Sequence, residues 1–145
     1  MAAIINNEMA AIQTTVVPVR QSTLSPTLVL LAGWLVPGLG HLLLKKPIRA
    51  ALLFVSIVAM FVIGMGLHGK LYVANNGDML DLLGFVGQMG SPLLYVLAHV
   101  AGAGAAVLSD TLSDYGSKFA VVAGLLNVMA AVDAQSLANG RKAGL

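Results

Sequence analysis

The chain has 145 residues; 58% are hydrophobic, 10% are charged, the formal net charge is +2, and there is no cysteine. Soluble domains carry about 25% charged residues, so eight basic and six acidic side chains cannot coat a water-soluble globule, and disorder is excluded by the same apolar bias. A disulfide scaffold, a thiol enzyme and a cysteine zinc site are all ruled out, and so small a net charge gives no reason to expect a nucleic-acid partner.

What remains is an all-α integral membrane bundle. A helix needs roughly 17–25 apolar residues to cross a bilayer. Apolar stretches of about that length predict four crossings, over 28–44, 50–67, 92–108 and 117–137, within a membrane domain spanning 28–138; the first three are uncharged, and the fourth starts near Lys118 and carries Asp133 near its end.

Residues 1–27 read as a tail or a surface helix. Glu8 stands where a secretory signal would be basic, and Arg20 follows the apolar part. Pro18, Ser22, Thr23, Ser25 and Pro26 form a linker. The first crossing carries Pro37, Gly38, Gly40 and His41 in its second half. Proline removes a backbone donor, so this segment is a kinked crossing packed on a neighbour, with a re-entrant half-helix as the alternative. The second crossing is the most apolar, interrupted only by Ser56.

Asn75-Asn76-Gly77-Asp78 signals a turn. It leads into a short interfacial amphipathic helix over 78–89, with a helix lying against the transmembrane bundle as the plainer and compatible reading. There Asp78, Asp81 and Gln88 share one arc and leucines and Phe85 cover the rest. Asp78 is placed to cap it. The third crossing is rich in glycine and alanine, and residues 139–145 form a C-terminal tail.

Lys and Arg favour cytoplasmic flanks. Here they divide evenly: Lys45, Lys46, Arg49 and Lys118 against Arg20, Lys70, Arg141 and Lys142. The dense Lys45–Arg49 loop favours a cytoplasmic position, and Arg141-Lys142 oppose it.

Chemistry-bearing residues are few. A histidine at membrane depth is a functional-site hypothesis. His41 and His99 could ligate a haem or a chlorophyll, although a hydrogen-bonded histidine between helices is the plainer reading. No cofactor is predicted outright. Asp110 and Asp114 could share a cation, but such acids, with Ser113 and Ser117, more often cap helices. Asp133 is expected at the water interface near a helix end, and Asn127 as interhelical glue. No nucleophile, base and orienter stand in a catalytic spacing, so no enzymatic activity is expected.

Small residues recur at a spacing of four: Gly116, Ala120 and Gly124, then Ala123, Asn127 and Ala131, then Ala98, Gly102 and Ala106. Small side chains let helices approach closely in lipid. Gly102, Gly116, Ala120 and Gly124 are therefore expected contact positions, either inside the bundle or with other subunits. The expected role is a structural or accessory membrane protein packing with itself or a partner complex. The alternatives are a cofactor-bearing subunit of an energy-transducing complex, or a small transporter or channel component.

Gly33-Trp34-Leu35-Val36-Pro37-Gly38-Leu39-Gly40-His41, followed by three leucines and a basic turn, resembles the opening of a family of small bacterial multi-pass membrane proteins of unknown function. Gly124-Leu125-Leu126-Asn127, Val132-Asp133-Ala134 and Gly140-Arg141-Lys142 look like its closing helix. The opening is also distantly similar to the two-transmembrane hairpin domain, but departs from it at Lys45-Lys46, where that domain has a Gly-Arg pair. The resemblance implies a bacterial inner-membrane location and carries no activity.

Overall fold

A computed structural model describes residues 1–14, 24–74, 78–104 and 111–140. All secondary structure among them is helical. The elements are α1 (Ala2–Thr14), α2 (Pro26–Leu35), α3 (Leu39–Leu43), α4 (Pro47–Gly66), α5 (Met79–Gln88), α6 (Pro92–Val100) and α7 (Thr111–Ala138).

Two helices are long and apolar enough to cross a membrane: α4, with 20 residues, and α7, with 28. At about 1.5 Å per residue, α4 alone matches a hydrocarbon core of about 30 Å. Helices α5 and α6 meet at 107° and would make a third span only if the bent pair is counted as one.

The expected crossing over 28–44 is not one helix. Pro37 disfavours helical backbone at the residue before it; Val36 is extended, and Gly38 turns left-handed at φ 77°. A side chain on Gly38 would strike the Ala50 carbonyl. The chain therefore doubles back as α3, leaving α2 with ten residues, roughly half a crossing. Ser25 caps α2 by accepting from Leu28 N–H, and Pro26 fills its first position.

The expected crossing over 92–108 also ends early. Helix α6 stops at Val100, because Gly102 and Gly104 adopt left-handed backbone at φ 70° and 77°. Residues 105–108 of that stretch lie outside the described ones. The last helix, by contrast, begins six residues before the expected Ser117. Ser113 and Ser117 are consequently not caps but buried positions inside α7.

Helix α7 is the axis of the fold, packing against α2, α3, α4 and α5. Its buried face is almost wholly Gly, Ala and Ser, with Asn127. Large side chains point outward: Leu52, Val55 and Val62 on α4, and Leu125, Met129 and Val132 on α7. Close backbone approach therefore replaces interdigitated bulky residues, the arrangement expected where lipid removes the hydrophobic drive between helices. A small core of Ile57, Phe61, Tyr95, Ala120 and Ala123 lies between α4, α6 and α7.

Candidate functional site

The buried polar side chains gather where helices break. Asn127 is fully buried on α7. Its Nδ2 donates to Trp34 O at 2.7 Å and to Gly90 O at 2.9 Å. Trp34 lies in the last turn of α2, whose carbonyls have no helical partner. Gly90 lies in the bend between α5 and α6. One amide thus ties two helix breaks to a third helix. Asn127, expected as interhelical glue, binds main-chain carbonyls here, not another side chain.

Gln88 does the same for the segment after α4. Its Nε2 donates to Lys70 O and its Oε1 accepts from Tyr72 N–H, both at 2.9 Å. The interfacial-helix expectation placed Gln88 on a water-facing arc with Asp78 and Asp81, and this is corrected here: Gln88 is fully buried. Residues 69–74 are non-helical, and their buried backbone groups need partners from elsewhere in the fold. A glutamine carries both a donor and an acceptor. The other two residues keep polar roles at the edge. Asp78 Oδ1 accepts from Leu80 N–H at 2.9 Å, capping α5. Asp81 pairs with Lys70 Nζ at 2.8 Å.

The serines of α7 complete this pattern. Ser113 Oγ donates to His68 O, and Ser117 Oγ donates to Ser113 O while accepting from Lys70 N–H at 2.8 Å.

His41 is buried on α3, and its Nε2 lies 3.2 Å from Asp133 Oδ2. The His41 side chain is 2% exposed and the Asp133 side chain 34%, so the pair reaches the surface through the carboxylate. At the neighbouring Gly40 a side chain would strike Ala134 and the Val29 carbonyl, so the chain there packs closely on α2 and α7. Nothing in the sequence joined His41 to Asp133, 92 residues apart.

His99 is exposed at the end of α6. Its ring stacks on Tyr95 at 6.2 Å, and Tyr95 Oη donates to Tyr72 O at 2.8 Å. The two histidines singled out as ligand candidates thus have separate partners. Among the described residues no cluster of three or more His, Asp or Glu side chains could hold a metal ion. Asp110 lies outside the described residues, and Asp114 is exposed in the first turn of α7.

Gly116, Ala120 and Gly124 all face inward. A carbon on Gly124 would lie 2.1 Å from Gly87 O, and one on Gly116 would lie 2.5 Å from Gly64 O. Gly102 is a correction: it is exposed, has no neighbour within 4 Å of a built side chain, and sits in a turn beyond α6. Its spacing from Ala98 is helical in sequence, but the helix has ended.

The sequence model of a family of unknown function, DUF6677, matches residues 28–143. The chain belongs to that family. The matched span takes in every helix from α3 to α7, most of α2, and the polar contacts of Asn127, Gln88, His41 and the α7 serines. No curated protein and no solved structure matches the chain.

Proposed function

We propose that this DUF6677 member is a multi-pass structural or accessory protein of the bacterial inner membrane, working by packing with itself or with a partner complex. One observation carries the reading. The small residues are spent inside the fold, while large apolar side chains such as Leu52, Val62, Leu125 and Met129 stand outside it. The outer face is thus the surface left for lipid and for protein. The contact positions with other subunits are accordingly not Gly116, Ala120 or Gly124, which are already occupied.

The test is purification of the full chain from native membranes in mild detergent, with particle mass and co-purifying proteins determined. An assembly larger than one chain, weakened by Met129→Lys without loss of insertion, supports the reading. A lone inserted monomer with no partner overturns it.

A second reading, a small transporter component, is favoured by the His41–Asp133 pair, since a titratable pair inside a membrane bundle would be a candidate proton or ion path. Proton flux in liposomes that is lost on Asp133→Asn would favour it over the first. A cofactor-bearing subunit remains the third reading; visible absorbance of purified protein, lost on His41→Ala or His99→Ala, is its test.

A further inference from the structure

Two buried side-chain oxygens among the described residues have no hydrogen-bond partner: Ser91 Oγ and Asn127 Oδ1. They belong to one junction. Asn127 Nδ2 grips the Gly90 carbonyl at 2.9 Å, and Ser91 is the next residue along the chain. Both residues are fully buried.

The orientation of the amide is fixed by its surroundings. Nδ2 faces two carbonyls, Trp34 O and Gly90 O; the flipped amide would set oxygen against oxygen twice. Oδ1 is therefore an acceptor that lacks a donor. Ser91 stands at the N-cap of α6, where a serine oxygen usually accepts from the first turn. Its side chain makes no such bond. Buried polar atoms left this way in native proteins call for an explanation, and an ordered water or ion is the usual one.

We propose that one water molecule occupies this junction, accepting from the Ser91 hydroxyl and donating to Asn127 Oδ1. The two needs are complementary, and water supplies both a donor and an acceptor. An oxyanion would meet the lone pairs of Oδ1. A hard cation prefers six or more oxygens, and the unpartnered side-chain oxygens number two. Freed polar groups at breaks in membrane helices are commonly satisfied by neighbouring helices and ordered water; here the two devices act together on the 107° bend between α5 and α6. The inference does not depend on the assembly role proposed above.

The test uses the full chain reconstituted in phospholipid bilayers. Solid-state NMR measures transfer of magnetisation from water to the Asn127 side-chain amide protons, with hydrogen exchange suppressed by low temperature. The wild type should show transfer. Ser91→Val, which removes the hydroxyl that would hold the water, should reduce it several-fold while the helical circular dichroism is unchanged. No transfer in the wild type overturns the proposal, as does equal transfer in folded Ser91→Val. If Ser91→Val does not fold, a high-resolution structure of the wild type decides. One solvent peak within hydrogen-bond distance of both oxygens supports the proposal; a dry junction or a direct Ser91–Asn127 bond refutes it.

Discussion

The close approach of α5 to α7 at Gly124 gives the sharpest stability prediction. A methyl group on Gly124 would stand 2.1 Å from Gly87 O. Carbon–oxygen contacts settle at about 3.3 Å or more, so the helices must part by roughly 1 Å. The bond from Asn127 Nδ2 to Gly90 O, 2.9 Å long, lies one helical turn further along α7 and would open with them. Overpacking costs about 1–3 kcal/mol, and a buried carbonyl left without its donor about 1–3 kcal/mol more. Gly124→Ala should therefore destabilise the protein by about 2–6 kcal/mol. The assay is reversible unfolding in mixed micelles followed by far-UV circular dichroism. Gly66→Ala is the control: that glycine has open space around it, and alanine is the better helix former, so this variant should be neutral or slightly stabilised. Should Gly124→Ala unfold within about 0.5 kcal/mol of wild type, the range of an uninvolved surface site, the close packing of α5 on α7 would be refuted.

Other contacts make further predictions. Gln88→Ala removes the two bonds that Gln88 makes to the Lys70–Tyr72 backbone, leaving those from Ser117 and Tyr95; hydrogen exchange at the Tyr72 amide should accelerate at least tenfold, and an unchanged rate would refute the pinning. A double-mutant cycle on His41→Ala and Asp133→Ala should show a coupling of about 1–3 kcal/mol, whereas additive effects would show the pair to be incidental. Lys70→Gln should cost no more than about 1 kcal/mol, since its pair with Asp81 is partly exposed, and added salt should shrink the difference.

Much of the architecture was legible because its signals are local. The second apolar stretch announced α4, and Pro47 merely moved its start to the first helical position. Asp78 announced the cap of α5. Pro37 and Gly38 marked a disruption whose extent depended on contacts: Gly38 lies against the backbone of Ala50, so the chain turns back instead of merely kinking. The early end of α6 was hidden because an alanine–glycine stretch keeps helical spacing whether or not its glycines are left-handed.

The site was legible by residue type but not by pairing. Asn127 stood out as an amide in an apolar helix. Gln88 was misplaced because helical periodicity reports one helix by itself, and says nothing of a neighbouring non-helical segment that needs hydrogen bonds. His41 and Asp133 each drew notice separately.

Composition by itself pointed to the solvent: so few charges suit a chain to lipid rather than water, and the apolar stretches pointed to helix. Local chemistry also marked the interruption at Pro37-Gly38, though not the early end of α6. Only the tertiary structure decided how those interruptions are made tolerable, because satisfying an orphaned carbonyl depends on which distant side chain arrives within 3 Å. The small-residue stripes were equally ambiguous in one dimension, since a narrow helix face invites any backbone; the folded chain gave Gly116 and Gly124 partners of its own.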